Sequence, residues 1–143
     1  MWVWVGFVLC LMICGWGLWR GDRPNRLAAA IVLVAWCLSL LLHQWGNYAG
    51  PERVVVVIDI IAMGLLIVLS FWSRRLWILI ASALQIATVA LHFAAGITHV
   101  NHWTYVTVTG LLGGYGLLLC MAVAFAVHEW QPRATPKRVE SRR

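Results

Sequence analysis

Charge is scarce in this sequence. Asp, Glu, Lys and Arg make up 11% of the 143 residues while apolar types make up 62%; a typical soluble domain carries about 25% charged residues. One water-soluble core could not hide that much apolar surface, so the natural solvent is a bilayer. Acidic residues number only five, and they form no paired catalytic carboxylates. A Gly-rich phosphate loop and a nucleophile elbow are also missing, so no enzyme is expected. Proline occurs four times, at Pro24, Pro51, Pro132 and Pro136, and never inside an apolar run. Apart from the polar tail there is no low-complexity segment, and no residue-level repeat. A basic n-region is lacking too: the chain opens Met-Trp-Val-Trp, so its first apolar run reads as a retained span rather than a cleaved signal. The stretch ending Leu-Met-Ile-Cys at Cys14 superficially suggests a lipoprotein signal, but Ile13 stands where a small residue belongs.

What is present are five apolar runs, at residues 2–19, 27–45, 54–72, 76–97 and 104–127. Each matches the roughly 20 residues needed to cross a hydrocarbon core about 30 Å thick. Each must be helical, because lipid offers no partner for an open backbone group. The expected fold is therefore all-α, a polytopic membrane helical bundle of five transmembrane helices. It forms a single domain over residues 1–130, followed by a disordered basic tail over 131–143. Cys10, Cys14, Cys37 and Cys120 all lie inside apolar runs and read as small packing residues. Cys10 and Cys14 share a helix face, which is poor geometry for a disulfide.

Basic residues set the orientation. Arg20, Arg23 and Arg26 fall in the first connection, Arg74 and Arg75 in the third, and Arg133, Lys137, Arg138, Arg142 and Arg143 in the tail. Ten of the eleven Lys and Arg residues thus share one side, with Arg53 the exception. The positive-inside rule makes that side cytoplasmic, with the N-terminus out and the C-terminus in. This distribution accounts for the net charge of +6 without nucleic acid. Nine of the ten tryptophans fall at span ends, the preferred depth of indole, and only Trp36 is mid-span.

Ionisable groups inside a span are costly and point to function by default. Asp59 is the one acidic residue within a run. From the fourth run onward Gln85, Thr88, His92, His99 and His102 follow spacings of three, four, seven and three, a seam along one helix face to which His102 belongs only if the helix runs that far. The second run adds His43 and Gln44, and Asn47, Tyr48, Asn101 and Tyr105 lie in or beside the outer connections. Asp59 is expected to face inward and contact the fourth span near His92, with His99 or His43 as alternatives. Three uses of this cluster compete: a structural polar network, a metal or haem site, and proton handling. His43, Asp59, His92, His99 and His102 are the candidate ligands, since imidazole suits Zn, Cu and haem iron. No strong metal spacing supports them, and the expectation is no cofactor. His128 and Glu129 read as interfacial. In the fifth run Gly110 and Gly114 make a GxxxG spacing, which suits close helix packing within the bundle or between copies.

In gross design the chain resembles small phage-type holins, being short, strongly apolar and basic at its C-terminal end. It is equally similar to small helical subunits that pack around larger bacterial membrane complexes. It departs from holins in its five spans and its outer polar cluster. These resemblances imply a multi-pass protein of the bacterial cytoplasmic (inner) membrane, with the lipid bilayer as its surroundings and a homo-oligomer or larger membrane complex as its assembly. The first expectation for function is a non-enzymatic structural or accessory membrane component. The alternative is ligand binding, or proton or electron transfer, on the His/Asp cluster. A holin-like permeabilising protein is third.

Overall fold

The structure, a computed structural model, describes residues 2–42, 52–97 and 101–130. His43, Gln44, Trp45, Asn47, Tyr48 and His99, and the basic tail, lie outside them. The described residues are all-helical: α1 (Trp2–Arg20), α2 (Arg23–Leu42), α3 (Arg53–Ser73), α4 (Leu76–Ile97), α5 (His102–Thr109), a π-helical segment (Gly110–Gly116) and α6 (Leu117–Trp130). The last three run on as one rod. Among the described residues four rods are long and apolar enough to cross a membrane: α2, α3, α4 and the last rod from Trp103 to Trp130. The first helix is apolar but shorter over its well-described part, Trp4–Arg20.

Local chemistry sets the ends. Helix α2 begins four residues before its apolar run, at Arg23, because Pro24 sits in the first turn. There its missing N–H costs nothing and its fixed φ suits the helix. The α3–α4 turn is only Arg74 and Arg75, and it is closed by Arg74 in the left-handed region at φ 53, whose N–H bonds the Ser70 carbonyl at 2.9 Å. Asn101 starts the last rod, its Oδ1 accepting from the Trp103 N–H at 3.0 Å. The rod therefore begins ahead of the apolar run at 104.

Each helix packs on the next, and α6 returns to both α1 and α4. Cys10, Cys14, Ala29, Val32, Ala81, Leu117, Leu118, Met121 and Phe125 form the main buried cluster. Ala28, Leu66, Leu69 and Ile78 form a second. The Cys10 and Cys14 sulfurs, both fully buried, are 3.8 Å apart one helical turn from each other. Gly17 lets α1 approach α6: a Cβ there would stand 2.4 Å from the Phe125 ring and 3.2 Å from Ala29.

The outside is as apolar as the inside. Val68, Phe71, Leu76 and Leu119 are exposed, a surface that water would not tolerate and lipid would. Trp4, Trp19, Trp72, Trp103 and Trp130 project outward near rod ends, while Trp36 turns in against the core. One end of the bundle carries the arginine–carboxylate pairs. Arg75 on the α3–α4 turn donates to both Asp22 carboxylate oxygens and to the Asn25 side-chain Oδ1, and Arg20 pairs with Glu129. Asn25 is 1% exposed. These bonds tie the α1–α2 connection to the α3–α4 turn and α1 to α6, so the two hairpins share one end.

Candidate intramembrane binding site

Helix α4 is the most inward-facing rod. Ile78, Ala81, Ser82, Gln85, Thr88, Val89 and His92 are its buried residues, a stripe with helical spacing. Ser82 and Thr88 spend their hydroxyls on their own helix, donating to the Ile78 carbonyl at 2.8 Å and the Leu84 carbonyl at 3.0 Å. Gln85 and His92 lie two turns apart and bracket Asp59 of α3. The Gln85 amide donates to Asp59 Oδ1 at 2.9 Å, and His92 Nε2 lies 2.8 Å from Asp59 Oδ2. On its far side, His92 Nδ1 is 2.5 Å from the Tyr105 hydroxyl of α5.

The chain of groups is thus Gln85–Asp59–His92–Tyr105, drawn from three helices. Its donors and acceptors balance. With the proton on Nε2, His92 donates to the carboxylate and accepts from Tyr105. With both nitrogens protonated, it donates to both neighbours. The His92 side chain is 1% exposed and that of Asp59 18%. The residual exposure of Asp59 matters, because it borders a cavity of about 310 Å³. Residues of α2, α3, α4, α5, the π-helical segment and α6 line it, it is open on one side, and its polar lining includes Ser39, Asp59, Gln85, Thr88 and Thr109.

The cavity comes from missing side-chain volume. Gly110, Gly113 and Gly114 line it together with Ala35 and Ala62. The π turns hold one more residue per turn than an α-helix and so change which residues of the last rod face inward. Within the chain this revises the GxxxG reading. A Cβ on Gly110 would have nothing within 4 Å, and one on Gly114 would meet only Trp36, at 3.5 Å. The tight approach is at Gly113, where a Cβ would stand 2.6 Å from Thr88 Oγ1. A spacing read on an ideal 3.6-residue helix could not show this.

Of the five candidate ligands, the structure joins Asp59 and His92. His43 and His99 lie outside the described residues, as does the side chain of His102, which opens α5. Among the described residues no three His, Cys, Asp or Glu side chains gather closely enough to hold a metal ion. His128 and Glu129 sit in the last turn of α6, away from the site. Sequence reasoning placed Tyr105 beside an outer connection and missed it as the partner of His92. The signal was the seven-residue step from Gln85 to His92, which leaves room for one acceptor between them and one beyond. Trp36 was visible only as the one tryptophan out of place, and here it is a cavity wall. No family model, characterised protein or solved structure gives a significant match to the chain.

Proposed function

We propose that this chain is a five-span membrane protein, N-terminus outside and C-terminus cytoplasmic, that binds a small lipid-soluble molecule in a cavity in its outer half. It is a non-enzymatic binding component, and no bond-making step is assigned to it. The observation that carries the reading is the Asp59 side chain on the wall of a cavity of about 310 Å³. A purely structural network needs a hydrogen bond but no void, and protein interiors otherwise pack to crystal density. Ligand cavities commonly measure about 300–1,000 Å³, mostly apolar with a few polar groups that fix orientation.

The topology rests on physical arguments. Helix α1 has 19 residues, so at 1.5 Å per residue it is roughly 28 Å long, enough for a hydrocarbon core of about 30 Å. Arg20, Asp22, Arg75 and Glu129 meet at one end of the bundle, the end that the positive-inside rule places in the cytoplasm. Reporter fusions after residues 50 and 100 are expected to report the outer side, and fusions after residues 22, 74 and 140 the inner side. Termini found on the same side would end the five-span topology.

The binding reading has its own test. Phenyltrimethylammonium or its neutral isostere tert-butylbenzene is expected to be retained saturably by protein-loaded nanodiscs over empty ones. Gly110→Leu, whose new side chain enters the open space beside Gly110, is expected to cut that retention at least fivefold. If neither probe is retained above empty nanodiscs, the cavity is not a binding site for molecules of this size.

A further inference from the structure

We infer that the cavity selects lipophilic cations, that is, amines or quaternary ammonium groups carried on an apolar body. The inference rests on the binding reading above and adds the class of ligand.

Charge comes first. Of the described residues that line the cavity, Asp59 is the only one with an ionisable carboxyl, and no Lys, Arg or His borders the space. His92 reaches Asp59 from outside the cavity lining. Among the described residues, no cationic side chain faces the carboxylate across the cavity. Among the described residues each oxygen accepts one bond, Oδ1 from Gln85 and Oδ2 from His92. A carboxylate oxygen can accept about two, so each retains capacity for a ligand. An anionic ligand would meet this carboxylate with no compensating donor set among the described lining residues, whereas a cation meets a carboxylate whose ion-pair partner, His92, lies outside the cavity lining.

The rest of the wall fits the apolar body. Val32, Leu40, Val55, Leu66 and Leu117 line the cavity, and Trp36 adds an indole, the side chain whose π-system attracts cations most strongly. A carboxylate and an indole in a mostly apolar cleft suit a cation carried on an apolar body. A small hydrated metal ion would need several oxygen ligands to replace its water, and among the described residues Asp59 is the only carboxylate in the lining. Thr88, already bonded to its own helix, contributes bulk rather than a free donor.

The matched pair of probes separates charge from shape, because phenyltrimethylammonium and tert-butylbenzene differ by one nitrogen in place of carbon. Retention is measured on protein-loaded nanodiscs of neutral lipid, with empty nanodiscs subtracted. The parent protein is expected to hold the cation at least tenfold more tightly than the neutral isostere. Asp59→Asn is expected to keep the neutral probe within about twofold and to erase the preference. Trp36→Leu should lower cation affinity several-fold while leaving a preference in place. Equal affinity for the two probes in the parent, or a preference that survives Asp59→Asn, overturns the cation assignment while leaving the binding site standing. Absence of both probes overturns the assignment together with the binding reading. Saturable cation retention that Gly110→Leu does not reduce places the cation elsewhere and also overturns the assignment.

Discussion

Asp59→Leu is expected to destabilise the protein by about 2–3 kcal/mol, and Asp59→Asn by no more than about 1 kcal/mol. The leucine removes the acceptor for two donors at once. Gln85 and His92 are each 3% exposed, and stranding a buried donor costs about 1–3 kcal/mol. Two such donors would sum to about 2–6 kcal/mol, and polar contacts in membranes average only about 0.6 kcal/mol, which holds the effect near the lower end of that sum. The asparagine keeps an oxygen for Gln85 and turns its amide toward His92. His92 can adapt by moving its proton to Nδ1, donating to the Tyr105 hydroxyl that lies 2.5 Å away and accepting from the new amide. The bond pattern is thus reversible, and only the charge is lost. Denaturant titration in mixed micelles measures the difference. A leucine variant as stable as the parent would show that the network bears no part of the fold, and the site would then rest on the cavity alone.

How much of this was legible beforehand can be traced to particular residues. Asp59 and the seam of Gln85, Thr88 and His92 follow from spacing, because a carboxyl inside an apolar run needs a partner and a helix face repeats every three or four residues. Helices α3 and α4 begin and end within a residue of their apolar runs, since composition changes sharply at Arg53, Ser73 and Leu76. Arg75 was legible only as a marker of sidedness. Its bonds to Asp22 and Asn25 join positions about fifty residues apart, and nothing local to either segment specifies them. The cavity was illegible for a related reason. It is an absence of volume, produced where glycines of the last rod meet Ala35 and Ala62 of other helices. Sequence shows small residues but not whether a neighbour has closed upon them. At Gly113 a neighbour has, and at Gly110 none has.

That contrast gives the other large effect. Gly113→Leu is expected to cost at least about 3 kcal/mol, and Gly113→Ala about 1–3 kcal/mol, the range for overpacking a filled site. A Cβ at Gly113 would stand 2.6 Å from Thr88 Oγ1, 2.8 Å from Cγ2 and 3.2 Å from Cβ. Thr88 has little freedom to withdraw. Both branches of its side chain meet the new atom, its Oγ1 is held by the Leu84 carbonyl at 3.0 Å, and the residue is 2% exposed. Relief must come from separating the last rod from α4, which would also pull Tyr105 from His92. Gly110→Leu, three residues earlier on the same rod, meets open space and is expected to change stability by less than about 1 kcal/mol, within the usual range for a side chain added without a clash. A GxxxG contact within the bundle would give the opposite order, with Gly110 and Gly114 intolerant and Gly113 permissive. Thr88→Ala made together with Gly113→Ala removes the two nearest atoms, and it should recover at least half of the Gly113→Ala loss, since residues in contact do not add independently. No recovery in that double variant would mean that the glycine is required for the π-helical backbone rather than for its contact with Thr88.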